Sequence, residues 1–188
     1  LISPWVMLSQ SAATWLLACN LLSICGCLWM ILNFWFHGRG FRRRLLPRQL
    51  VSLACSDLLL HLGGVAYTLF EVWHEQLAPE EQGVFCGVWY WYFRTSRFIS
   101  VLTELHIGMA ALFQAFRWFS ALALLPLTLP LVWVVGVALS SADLALVPVR
   151  AGGSTPCQLL AHDVMTLGLV ATAFALCACA YLATLRVA

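Results

Sequence analysis

Charged residues are scarce in this chain: Asp, Glu, Lys and Arg make up only 10% of its 188 residues. A soluble domain averages about 25% charged residues. Together with 62% hydrophobic residues, this shortage is typical of a membrane protein. Lysine is absent, so this sequence cannot form a retinal Schiff base. A net charge of only +2 gives no extended basic surface, and nucleic acid is therefore not expected as a partner.

The uncharged stretches of the chain predict its architecture. The first 36 residues carry no charge, so we do not expect a signal peptide with a basic n-region. About 20 apolar residues are enough to cross a bilayer as a helix. We predict an all-α, polytopic membrane helix bundle, a single domain over residues 1–188 with five transmembrane helices. The predicted spans are residues 12–36, 49–73, 86–112, 121–142 and 164–185.

The arginine residues predict the orientation of this bundle. Residues 37–48, HGRGFRRRLLPR, hold five of the ten arginines and no acid, with Pro47 just before the second span. The positive-inside rule makes this loop cytoplasmic and the N-terminus extracellular. Residues 74–85, rich in Glu, are predicted to be a short outer loop. We therefore expect an integral protein of the plasma membrane. The arginines expected to face the cytoplasm, where they contact anionic lipid or bind a partner, are Arg42, Arg43, Arg44 and Arg117.

The third predicted span has the most unusual composition. Its apolar and aromatic sequence includes four ionisable side chains: Arg94, Arg97, Glu104 and His106. A charge at membrane depth costs roughly 2.5–3.5 kcal/mol on insertion scales and therefore usually faces a bundle interior or a wet cavity. Helical spacing places one stripe of residues along this span, with Arg94 at its edge: Tyr90, Phe93, Arg97, Ser100 and Glu104. We interpret this span as the central helix of the bundle.

Asp57 lies about 12 Å inside the second span, at a rise of 1.5 Å per residue. His61 follows one turn later on the same face. An acid at this depth is either a functional site or the centre of a structural hydrogen-bond network. In one interpretation, five residues relay protons or gate an ion in a membrane transporter or channel: Asp57, His61, Arg97, Glu104 and His106.

Six of the eight cysteines fall inside predicted spans. Cys86 and Cys157 fall at the outer face, where oxidation is permitted, and a disulfide between them would hold the second outer loop over the bundle. The alternative is that their common location is coincidental. The two Cys-x-Cys pairs, residues 25–27 and 177–179, predict apolar packing rather than metal or redox chemistry. We predict no enzyme activity, no catalytic residue, no metal site and no cofactor.

The layout resembles the first five helices of a G-protein-coupled receptor. Cys86 and Cys157 match the bridge of that family between its third helix and second outer loop. The run Leu53-Ala54-Cys55-Ser56-Asp57-Leu58-Leu59 is similar to its second-helix Leu-Ala-x-x-Asp-Leu core. Trp133 falls where the family has its fourth-helix Trp. Ser100 occupies the place of a polar residue that faces the Asp and closes a sodium pocket in rhodopsin-like members.

The chain also departs from the rhodopsin-like group. Ala110-Ala111-Leu112 stands where that group has an Asp/Glu-Arg-Tyr box. Asn20, the candidate for its first-helix Asn, precedes Asp57 by 37 residues, which is long. Leu102-Thr103-Glu104 and the run at residues 50–58 are more similar to the cAMP-receptor-like group of microbial eukaryotes, and next to the secretin-like group. The resemblance implies a seven-helix fold of which helices six and seven are missing here.

The resemblance also implies a signalling function. A small extracellular ligand, of anionic chemistry, would contact Tyr90, Phe93, Arg94 and Arg97. A polar core of Asp57, Ser100 and Glu104 would repack between two states. A heterotrimeric G protein would bind the cytoplasmic arginines named above. The alternatives are that Arg94 and Arg97 pair with Asp or Glu on helices outside these five, and that Tyr90 and Phe93 pack near the membrane interface.

Overall fold

The computed structural model describes residues 4–73, 78–146, 149–151, 157–159 and 164–187. These ranges form six helices and two short strands. In chain order they are α1 (Pro4–Phe36), α2 (Arg39–Arg42), α3 (Leu45–Trp73), α4 (Pro79–Ala115), α5 (Phe119–Leu146), β1 (Val149–Ala151), β2 (Cys157–Leu159) and α6 (Val164–Val187).

The architecture is a helical bundle, and four helices are long and apolar enough to cross a membrane. These segments are Thr14–Phe36, Leu45–Glu71, Glu80–Ala115 and Phe119–Leu146. Helix α6 carries a shorter apolar stretch, Val170–Leu185. The predicted helical membrane bundle is therefore confirmed, whereas the fifth span and the seven-helix fold stay predictions.

Two helices begin earlier than the sequence predicts. Helix α3 starts at Leu45, so Pro47 lies in its first turn rather than before it. Helix α4 starts at Pro79, so residues 79–85 are its first turns and the prediction of a loop there is wrong. Proline is tolerated at such positions because the first N–H groups of a helix have no intrahelical partner. The Glu81 carboxylate also accepts a hydrogen bond from the Ala78 N–H, at 3.2 Å.

A tight turn joins α4 to α5. Arg117 has φ of 56°, in the left-handed region. The Trp118 N–H donates to the Phe113 carbonyl at 2.8 Å, and the Arg117 N–H donates to the Gln114 carbonyl at 3.2 Å. The rings of Phe113 and Trp118 also pack, with centroids 5.8 Å apart. This is a Schellman motif, which satisfies the last carbonyls of α4 and reverses the chain within a few residues.

A β-hairpin replaces part of the loop that was expected to be irregular. Strands β1 and β2 pair antiparallel, with Val149 opposite Leu159 and Ala151 opposite Cys157. Strand β1 contacts α4. The rest of the predicted loop, residues 147–148, 152–156 and 160–163, lies outside the described residues.

Helix α4 is the centre of the bundle, as the sequence predicts. It packs against α3, α5 and α6, whereas α1 packs against α3. Glycine allows the closest approach between α4 and α5: a Cβ added at Gly136 would lie 2.5 Å from Ile99 Cγ1 and 3.2 Å from its backbone nitrogen. Small residues at such crossings are typical of membrane helices, where close packing rather than hydrophobic burial drives association.

Candidate functional site: a polar column along α4

Helix α4 presents polar side chains to its neighbours at three levels. The first level lies at the end that carries the disulfide, the second near the middle of the helix, and the third at the end near the arginine-rich segment. We call these the disulfide end, the middle and the arginine-rich end. Together they form one column of hydrogen bonds through an otherwise apolar bundle.

At the disulfide end, Cys86 and Cys157 form the bridge that the sequence predicts. Their Cα atoms are 5.4 Å apart, and 71 residues separate them in the chain. Cys86 is fully buried in the second turn of α4. The bridge therefore fixes strand β2, and through it β1, to the first turns of the central helix.

Directly beneath this bridge lies a buried ion pair that joins α4 to α5. Arg94 Nε is 3.5 Å from Asp143 Oδ2, with both side chains almost completely buried. The Tyr90 hydroxyl donates to the same carboxylate oxygen at 3.0 Å and accepts from Arg94 Nη2 at 2.7 Å. The guanidinium also lies over the Tyr90 ring, 4.8 Å from its centroid. Arg94 thus has an acidic partner, as the alternative to ligand binding expected, but the acid lies on α5 and not on a helix outside the five.

Sequence reasoning missed Asp143 as the partner of Arg94. Asp143 directly follows the fourth predicted span, residues 121–142, whereas α5 continues to Leu146 and buries this side chain completely. The sequence does contain a signal for this pair: Asp143 is an acid near the disulfide end of α5, the same end of the bundle at which Arg94 lies on α4. Its second oxygen, Oδ1, is buried without a hydrogen-bond partner among the described residues.

The remaining residues of the predicted ligand site have different environments. Phe93 stacks on Trp89 with centroids 5.3 Å apart, and Trp89 in turn packs on Tyr67 of α3 at 4.3 Å. Arg97 is exposed and does not join the Arg94 cluster. The structure therefore separates the two arginines: Arg94 is held inside the bundle, and Arg97 is on its surface.

In the middle of the bundle, Ser100 Oγ donates to Asp57 Oδ1 at 2.7 Å. The sequence expectation that these two residues face each other is confirmed. Glu104, one turn further along α4, is exposed. Of the predicted polar core, the structure therefore joins Asp57 and Ser100, and the role of Glu104 stays a prediction.

Further hydrogen bonds fix α3 on both sides at this level. Trp133 Nε1 donates to Ser52 Oγ at 2.9 Å, which connects α5 to α3. His61 Nδ1 bonds with Asn20 Oδ1 at 2.8 Å and so connects α3 to α1. No hydrogen bond between His61 and Asp57 is present in the part of the chain that the structure describes. The two contacts connect α3 to α5 and to α1.

At the arginine-rich end, His106 joins three helices. Gln49 Nε2 donates to His106 Nδ1 at 2.8 Å and to the His106 carbonyl at 3.1 Å. On the other side of the ring, Nε2 lies 3.1 Å from the Leu125 carbonyl and 3.0 Å from Thr128 Oγ1. Nδ1 accepts and Nε2 donates, so the network selects the neutral tautomer with its proton on Nε2. The fully buried Gln49 was not singled out from the sequence.

The arginines predicted to face the cytoplasm gather at this same end. Arg42 lies over the Trp35 ring, 5.6 Å from its centroid. Arg43, Arg44 and Arg117 are exposed. The structure therefore brings these arginines to the end opposite the disulfide, which is the charge asymmetry that the positive-inside rule uses.

Comparison with known proteins gives no match: no protein-family model matches the chain, and no curated protein matches its sequence. Any functional assignment therefore depends on the residues and contacts described above.

Proposed function

We propose that this chain is a receptor-like signalling protein of the plasma membrane with its N-terminus extracellular. In this proposal a small anionic ligand enters from the disulfide end and reaches Arg97 in the middle of α4, and a heterotrimeric G protein binds at the arginine-rich end. The observation that carries the proposal is the Cys86–Cys157 bridge, which ties the hairpin between α5 and α6 to the central helix. A loop held in this way covers the part of α4 where a ligand would bind.

Arg97 is a better candidate than Arg94 for the residue that binds the anion. The Arg94 guanidinium already has a carboxylate and a hydroxyl as partners, so a ligand would need to displace Asp143. Arg97 is exposed at the exact midpoint of α4, 18 residues from either end (Pro79–Ala115). Arg97 has no ion pair within the described ranges, and an arginine at that depth is costly in lipid, which favours a water-lined cavity around it.

The polar pair below Arg97 supplies a means of transmission. Ser100 and Asp57 connect α4 to α3 through one short hydrogen bond, close to Glu104. A ligand that draws Arg97 toward the disulfide end would change the position of α4 relative to α3. A ligand shifts a conformational equilibrium only by its difference in affinity for the two states, so its contact with Arg97 must differ between them.

The test uses the purified protein reconstituted with a heterotrimeric G protein. We expect the protein to accelerate guanine-nucleotide exchange, with a further increase on addition of cyclic AMP as an anionic probe. Arg97→Gln should abolish the response to the probe and leave the basal rate, whereas Arg39→Gln, on exposed α2, should change neither. An exchange rate equal to that of empty vesicles would refute the proposal.

A second function is favoured by two carboxylates on neighbouring helices: Asp57 on α3 bonds with Ser100, and Glu104 follows Ser100 by one turn of α4. Paired intramembrane carboxylates are typical of proton or ion pathways in transporters and channels. Proton flux into proteoliposomes, lost in Asp57→Asn and kept in Glu80→Gln at the exposed start of α4, would establish this function. No flux above that of empty vesicles would exclude it.

A further inference from the structure

A cavity of about 280 Å³ lies at the arginine-rich end, where α3 begins, α4 ends and α5 begins. Apolar side chains from all three helices line it, among them Leu46, Ile107 and Leu122. Two amides, Gln49 and Gln114, are its polar lining residues. The cavity lies at the first turns of α3 and α5. The end turns of a membrane-spanning helix lie near the lipid headgroups.

Gln49, which lines this cavity, has a buried amide oxygen with no hydrogen-bond partner among the described residues. Its amide nitrogen must face His106, because the His106 carbonyl, 3.1 Å away, can only accept a hydrogen bond. The amide oxygen is therefore on the other side. Oε1 is buried and has no hydrogen-bond partner among the described residues, although the side chain is 0% exposed. A buried acceptor without a donor costs free energy, so a ligand that supplies a donor is favoured.

Three arginines are close in sequence to residues that line the cavity. Arg44 directly precedes Leu45, the first residue of α3, and Arg48, in the first turn of α3, directly precedes Gln49. Arg117 follows Gln114 by three residues, in the turn after α4. Among the described residues the ion pair joins Arg94 to Asp143, so these three arginines have no acidic partner there. Their charge favours an anion at the cavity.

We propose that this cavity binds an anionic phospholipid whose headgroup carries a free hydroxyl. The hydroxyl donates to Gln49 Oε1, the phosphate lies among Arg44, Arg48 and Arg117, and the carbon skeleton contacts the apolar walls. A phospholipid without net charge would lose the arginine contacts, and one without a hydroxyl would leave Oε1 unpaired. The site is independent of the proposed signalling function, because a transporter with this fold would have it as well.

The test compares three lipids added to the purified full chain in detergent micelles, with binding followed by native mass spectrometry. Phosphatidylglycerol is anionic and has headgroup hydroxyls, phosphatidylmethanol is anionic without a hydroxyl, and phosphatidylcholine has neither. We expect phosphatidylglycerol to bind about 2- to 10-fold more tightly than phosphatidylmethanol, the range for one net hydrogen bond. Phosphatidylcholine should bind most weakly because it has no net charge to meet the arginines.

Two matched variants locate the site. Ala110→Leu fills the cavity and should abolish the preference for phosphatidylglycerol over phosphatidylmethanol. Ala123→Leu makes the same change at an exposed residue of α5 outside the cavity lining and should keep the preference. If Ala110→Leu does not fold, Gln49→Met replaces the acceptor at similar volume and should give the same loss.

The charged part of the site has a separate prediction. Arg48→Gln should weaken both anionic lipids by the same factor and leave their ratio unchanged, because it removes charge but not the acceptor. Equal binding of the two anionic lipids by the unmodified protein would overturn the proposal, since it would mean attraction by charge alone. A preference that persists in both Ala110→Leu and Gln49→Met would also overturn it.

Discussion

The buried pair of Arg94 and Asp143 gives the sharpest prediction about stability. Asp143→Leu removes the carboxylate and leaves a guanidinium that is 3% exposed without its acidic partner. Coulomb's law at 3.5 Å, with an effective dielectric constant of about 20, gives an attraction of about 5 kcal/mol. Removing one partner of a buried ion pair typically costs about 3–5 kcal/mol. We expect the free energy of unfolding to fall by that amount.

The double variant Arg94→Met, Asp143→Leu distinguishes pairing from packing. It removes both charges and keeps apolar bulk, and replacing a buried pair by apolar residues is often neutral or stabilising. We expect its free energy of unfolding to lie within about 1–2 kcal/mol of the unmodified protein, so the single changes should be strongly non-additive.

The assay is equilibrium unfolding in mixed micelles of mild detergent and dodecyl sulfate, followed by far-UV circular dichroism. Ala142→Leu, at the exposed neighbouring residue, is the control and should change the free energy by less than about 0.5 kcal/mol. The reasoning is refuted if Asp143→Leu costs under 1 kcal/mol, on the order of a surface pair. It is also refuted if the effects of the two single changes simply add.

Three further predictions use the same unfolding assay. Gly136→Ala should lower the free energy of unfolding by about 1–3 kcal/mol, because the added Cβ would lie 2.5 Å from Ile99 Cγ1. Gly26→Ala is the control: an added Cβ there has nothing within 4 Å, so the change should be neutral or slightly stabilising. Equal effects of the two changes would contradict the close crossing of α4 and α5. Arg117→Gly should stabilise by about 1 kcal/mol because φ is 56° there, and a loss of stability would argue against the left-handed turn. Cys86→Ser should cost about 2–5 kcal/mol by freeing a loop closed over 71 residues, and an unchanged value would argue against the bridge.

The sequence predicted the local features of the fold well because they depend on short stretches of chain. Uncharged runs predicted the helices, and the two cysteines at the predicted outer face indicated the bridge. The errors occurred at helix ends: a proline was taken to break α3 and α4, although Pro47 and Pro79 occupy first-turn positions where their missing N–H has no effect.

Contacts between helices were harder to predict. The family resemblance predicted that Asp57 and Ser100 face each other, and the structure has a hydrogen bond between them. Asp143 and Gln49 were missed, because a single sequence does not give the rotation of one helix relative to another. Helical spacing placed Arg94 at the edge of a stripe, but only the position of α5 shows that this edge is buried against a carboxylate.

The central claim is that the face of α4 that carries Arg97 and Glu104 borders water inside the membrane rather than lipid. Reaction of introduced cysteines with a membrane-impermeant maleimide tests it most directly, in a background that keeps the bridge and replaces the six free cysteines with alanine. Arg97→Cys is compared with Val134→Cys, which is 64% exposed on the apolar α5. We predict rapid labelling of Arg97→Cys and protection of Val134→Cys. Equal protection of both variants would place Arg97 against lipid and contradict the account.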